Sequence, residues 1–211
     1  MLTRRAVAAL GVAGLLLAAA ACGSSQPPRP QASVPQPSPS LSPSSPPLPP
    51  TVTASVGSEV AQREGQALAL VPQYYATLDK LKIDPSASPN DVYTVAIAPD
   101  AATTIKLLNE YRSAGDKQSG TTKVVTSRAT GVDATYEPTA NPAVYPSVQV
   151  IACLDVTNVR VSDMAGKRVG PANRPDFYVE KLTIINPAYP SKTGWKVRNT
   201  TNAGVSSCAG K

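Results

Sequence analysis

Histidine is missing from all 211 residues. Proton transfer near neutral pH therefore has no imidazole to use, and histidine-containing triads are excluded. The chain holds no Gly-rich phosphate loop, GxSxG turn or CxxC pair, so neither a metal nor another cofactor is expected. Carboxylates and tyrosines remain as the groups able to do chemistry. Asp155 interrupts the apolar run "VQVIACLDV", and Glu180 stands beside Lys181 in "FYVEKLTII". Strand carboxylates more often pair with a neighbouring Lys or Arg on an exposed face. Alternation puts Asp155 with Gln149, Ile151 and Cys153, opposite the Val-rich face. Lys181 and Lys196 are its candidate partners if their strands are adjacent.

The elements that position these residues divide into two kinds. Ala67, Val71, Tyr74, Leu78 and Leu81 recur every three or four residues, which predicts a first helix. Pro72 lies inside that stripe and removes one backbone donor, so the helix is expected to kink or restart there. Ser88-Pro89 offers a cap followed by proline at the first helical position, opening a short helix to about Ile97. A third helix is expected from about Asp100 to Ala114, carried by Ile105, Leu108 and Tyr111 and ended by Gly115. Beyond Gly120 the period changes. "TTKVVTSRATGVDATYE" is rich in Thr and Val, as a long strand would be. "PSVQVIACLDVTNVRV" places Val148, Val150, Ala152, Leu154 and Val156 on one face, and "FYVEKLTII" and "WKVRNTT" follow after turn-rich loops. Helices first and strands second is an α+β pattern. The expected fold is a set of N-terminal helices packed on a curved antiparallel sheet of about four long strands, cone-like in shape.

Three helices followed by four long strands, with "YYATLDKL", "ACLDVT" and "GWKV" as cues, resemble the nuclear transport factor 2-like (SnoaL-like) cone fold over about residues 55–211. They also resemble uncharacterised lipoproteins of actinobacteria and their phages. Relatives of this fold that act as isomerases or dehydratases use a cone cavity lined by an acid and hydrogen-bonding tyrosines. The resemblance thus implies a candidate pocket of Asp155 with Tyr74 or Tyr178, while Lys181 stays the candidate pairing residue of the exposed-face reading.

The N-terminus is read separately. Thr3-Arg4-Arg5 precedes an apolar run from Ala6 to Ala21, shorter than the roughly 20 residues of a membrane-spanning helix. A positive start, an apolar centre and small residues describe a secretory signal. With Cys22 directly after "LAAAA", the stretch resembles a bacterial lipoprotein signal, in which the cysteine is acylated and becomes the first mature residue. That resemblance implies a signal peptide over 1–21 and a lipid anchor at Cys22. It places the protein on the outer face of the cell membrane.

From Gln26 to Pro50 the chain is almost entirely Pro, Ser and Gln and holds half of its prolines. Such a segment cannot bury enough apolar surface to order itself, and 22–54 is read as a lipidated cysteine followed by a Pro/Ser-rich linker. The folded domain then occupies 55–211. With Cys22 acylated in an oxidising compartment, Cys153 and Cys208 form an even pair and are expected to bridge.

The formal charge of +6 falls to +4 without Arg4 and Arg5, and the cations are scattered, so nucleic acid is not an expected partner. The first expectation for function is a non-enzymatic interaction module that meets another envelope protein. The alternative is a carrier of a small apolar ligand in the cone cavity, and an enzyme using Asp155 comes last. The cavity discriminates among them. A filled cone favours the first reading, and an open apolar cavity of about 300 Å³ or more favours the second. A desolvated carboxylate facing a tyrosine in such a cavity would revive the third.

Overall fold

A computed structural model describes residues 56–209. The candidate signal, Cys22 and the Pro/Ser-rich linker lie outside the described residues. Two helices come first, α1 (Val56–Ile83) and α2 (Asp100–Ser113), joined through a 3₁₀ turn at Pro89–Thr94. Six strands follow: β1 (Lys117–Ser119), β2 (Lys123–Asp133), β3 (Ser147–Asp155), β4 (Arg160–Ser162), β5 (Phe177–Ile185) and β6 (Lys196–Val205). The main sheet is antiparallel in the order β2-β3-β5-β6, and β1 pairs with β4 in a small separate ribbon. The domain is α+β, with its helices packed on one side of the four-stranded sheet. Among the described residues, no helix is long and apolar enough to cross a membrane.

The first helix runs unbroken through Pro72. The proline sits on the exposed side, and tertiary packing of the opposite face holds the helix together. That face is Ala67, Leu70, Val71, Tyr74, Tyr75 and Leu81, all buried. The next segment is shorter than its apolar pattern suggests. Ser88 caps it, accepting from the Asn90 N–H at 3.3 Å, but the turn ends at Thr94 as 3₁₀. Beyond it, Val197 N–H donates to Val95 O at 2.9 Å and Ile97 N–H to Val197 O at 2.8 Å. Residues 95–97 are thus drawn out of a helix and onto the edge of β6. The second helix stops where expected: Gly115 has φ of +75° and donates its N–H to Arg112 O at 3.0 Å, a left-handed stop that suits glycine. Arg112 then ties the two helices, its Nη2 donating to Leu81 O at 2.7 Å and Asp84 O at 3.1 Å.

In the sheet, Val148, Val150, Ala152 and Leu154 of β3 are buried against the helices, as the alternation predicts. Their cross-strand partners in β5 are Ile184, Leu182, Glu180 and Tyr178. The long second run is divided after Asp155, where Asp155 Oδ1 accepts from both the Thr157 N–H (2.9 Å) and Thr157 Oγ1 (2.6 Å). This local Asx geometry competes with the ladder and turns the chain toward β4. The first expected strand is also trimmed: β2 ends at Asp133, and Tyr136 belongs to an aromatic cluster with Tyr145 and Tyr189. Tyr189 in turn lies under the Arg63 guanidinium at 5.4 Å. These loop tyrosines pack on one another and on α1.

Cys153 and Cys208 form a disulfide with Cα atoms 5.7 Å apart. Cys153 points away from the helices, because its neighbours Ala152 and Leu154 point toward them. Since β5 lies between β3 and β6, the tail after β6 must cross the outer face of β5 to reach it.

Candidate functional site

Between α1, α2 and the inner face of the sheet lies a cavity of about 430 Å³. Leu78, Leu81, Leu108 and Leu154 give it apolar walls, and exposed Lys82, Thr103, Leu107 and Asn202 surround its mouth. Its floor is polar. Tyr74 and Tyr75 project from consecutive positions of α1, their rings 5.2 Å apart and edge-on. Each donates its hydroxyl to a carboxylate. Tyr74 Oη bonds Asp100 Oδ2 at 2.8 Å, and Tyr75 Oη bonds Glu180 Oε2. Thr200 Oγ1 donates to the other oxygen of Asp100 at 3.1 Å.

Asp100, Glu180 and Thr200 are placed by three different elements. Asp100 opens α2, where a carboxylate is favoured by the exposed N–H groups of the first turn. Glu180 is in phase with Tyr178, Leu182 and Ile184 on β5 and so faces the helices. Thr200 reaches the same side of β6 because a register shift between Thr183 and Ile184 lets Leu182 face Thr200. Both carboxyls are only 8% exposed. Burial pushes both above their ordinary values, opposed in part by the tyrosine and Thr200 hydroxyls, and the negative charge of Asp100 raises Glu180 further. Tyr74 and Tyr75 are themselves driven up by burial and then by the carboxylates beside them, so both remain protonated donors. Tyr111 of α2 adds a third phenol to the wall, raised to about 12 by burial and then by Asp116. Its hydroxyl oxygen is buried and has no hydrogen-bond partner among the described residues.

The mouth is fixed by another buried acid. Asp79, 4% exposed on α1, accepts from Gln118 Nε2 at 2.8 Å and from the Thr122 N–H at 2.6 Å. It thereby fastens β1 and the start of β2 to the helix, beside the cavity.

The structure separates the expected pocket residues. Tyr74 and Tyr178 line the cavity, but Asp155 does not. Asp155 lies at the end of β3 beside its turn, opposite Lys123 of β2 and Phe177 of β5. Its carboxyl is held below the ordinary range by the Thr157 hydroxyl and N–H, with a smaller contribution from Lys123. Asp155 is thus bonded within its own turn and stands outside the cavity lining. Lys181 is exposed opposite Ile151 and Thr201, and Lys196 donates instead to the carbonyls of Tyr93 and Thr94. Neither lysine pairs with Asp155, because strand register sets them against other residues. Asp100 is the member of the site that sequence reasoning used only as a helix start. Its signal was weak, since first-turn aspartates are common.

The raised carboxyls carry a testable pH dependence. The folded state holds their protons more tightly than the unfolded chain, whose values lie near 3.8 and 4.5. Their stabilising contribution is complete below those values and is lost as pH rises through the folded ones. Thermal stability is expected to fall on that upward limb, and Asp100→Asn combined with Glu180→Gln is expected to flatten it. Asp84, Asp133 and Asp155, lowered chiefly by hydrogen bonds within their turns, act in the opposite sense as pH falls. A limb that keeps its slope in the double variant would remove the buried pair as its source.

No family model matches the sequence, and no curated protein matches it. Among solved structures, the chain is similar to the crystal structure of the intermembrane space region of the chloroplast protein ARC6. The identity is 12% and the TM-score 0.45, covering 67% of this chain and 97% of that one.

Proposed function

We propose that this chain is an exported lipoprotein, anchored through Cys22 on the outer face of the membrane, whose folded domain binds a small amphipathic molecule. One observation carries the binding reading: a cavity of about 430 Å³ with leucine walls and two buried carboxyls on its floor. Small-molecule sites are concave, mostly apolar and supplied with a few convergent polar groups. A filled interior would have favoured the interaction module that meets an envelope protein; the open cavity favours the ligand-binding alternative. The resemblance to nuclear transport factor 2-like domains supports a site between helices and sheet. The signal-like N-terminus and the Pro/Ser-rich stretch support anchoring and presentation at a distance from the membrane.

Native mass spectrometry of the full chain extracted from membranes tests both halves. An acyl mass on Cys22 and a small molecule retained by the folded protein are expected. Thr104 lies half-buried on the cavity wall, and Thr104→Trp is expected to exclude that molecule while leaving the fold intact. An unmodified Cys22 defeats the anchor. A Thr104→Trp variant that carries the same molecule as the parent defeats the cavity.

A further inference from the structure

We infer that the ligand is an amine: one ammonium group on an apolar body, its charge seated between Asp100 and Glu180. This deepens the small-molecule reading above and rests on it. Three acids line this cavity; Asp79 is taken up by Gln118 and Thr122, and the donors that hold the other two, Asp100 and Glu180, are the neutral hydroxyls of Tyr74, Tyr75 and Thr200. Neither takes part in an ion pair among the described residues, where the pairs are Arg63–Glu59 and Lys80–Asp91. Lys82 is the cation whose field reaches Glu180, and it stands exposed at the rim. Buried charges are ordinarily paired or metal-bound. Here the protein sets two acids together and supplies no cation between them, so a cation from outside would stabilise their ionised forms.

An ammonium has three N–H donors and no acceptor, so it can serve both carboxylates at once. A calcium or magnesium ion fits poorly, since it asks for six or more oxygen ligands and no cluster of three candidate ligands occurs among the described residues. An anion gains nothing from two acids, and a neutral alcohol brings no charge to stabilise their ionised forms. The leucine walls then require that the rest of the molecule be apolar.

Calorimetric titration of the full chain with n-octylamine, 1-octanol and octanoate near neutral pH tests the inference. Octylamine is expected to bind about tenfold or more tighter than octanol, with octanoate weakest. In Asp100→Asn/Glu180→Gln the amine preference is expected to vanish while octanol still binds. If the double variant fails to fold, Thr104→Trp in an otherwise unchanged chain takes its place and is expected to lose octylamine binding. Equal binding of amine and alcohol, or preference for octanoate, overturns the amine while leaving the cavity reading intact. An amine preference that survives the double variant, or octylamine binding that survives Thr104→Trp, places the amine elsewhere and also overturns it. No binding of any of the three overturns both readings.

Discussion

Replacing Cys153 and Cys208 together by alanine is expected to lower the stability of the folded domain by about 4 kcal/mol. The bridge closes a loop with a sequence separation of 55, and the chain-entropy relation gives that magnitude for a loop of this length. For a domain of this size the melting temperature should drop by roughly 8–16 °C. The tail has little else to hold it: Ser206 and Ser207 are exposed, and a polar segment gains little from burial. Hydrogen exchange should therefore quicken first at the end of β6, before the centre of the sheet. Chemical denaturation of the double variant measures the loss. A change under about 1 kcal/mol would mean that the unfolded chain is already restrained by other means.

Leu182→Ala is expected to cost 2–5 kcal/mol, the usual range for removing a buried leucine side chain and leaving a void. Leu182 is 1% exposed and lies opposite Val150 on one side and Thr200 on the other, under the helices. Central strands have no freedom to collapse into the space, which argues for the upper half of that range. Leu182→Met, which conserves volume, should cost less than about 1.5 kcal/mol. Urea titrations that leave the slope unchanged while the midpoint falls would attribute the loss to the native state. A loss below about 1 kcal/mol would show that the sheet closes around the gap after all.

Much of this architecture was legible because period and burial agree. The 3.6-residue stripe of Ala67, Val71, Tyr74 and Leu81 gave a helix, and the alternation from Val148 to Leu154 gave the inner face of β3. The cysteine pair was readable once Cys22 was set aside as the candidate lipid site. Three-residue β1 and β4 were not, since their pairing depends on Gln118 meeting Asp79, a contact between distant segments. Pro72 misled because a helix interior position was judged without knowing that it faces solvent. The site was half legible. Tyr74 was placed on a buried stripe, and Glu180 falls in phase with Leu182 and Ile184, a cue present in "FYVEKLTII". Asp155 attracted attention as the acid in the most apolar run, but parity set it facing away from the helices. Asp100 was hidden by an ordinary explanation, since an acid at the start of a helix needs no pocket to account for it.

The strand order leaves β2 and β6 as the borders of the sheet, and their composition decides how copies of the molecule behave when crowded. β2 is interrupted by two register shifts, between Val124 and Thr126 and between Ala129 and Gly131, and it carries Lys123, Arg128 and Asp133. β6 is engaged at Val197 by residues 95–97 and continues as Arg198, Asn199, Thr200, Thr201 and Asn202. Irregular, charged or polar margins make poor templates for adding another strand. Molecules packed side by side are thus discouraged from zipping into fibres, and a dense layer of them can stay a layer of separate domains.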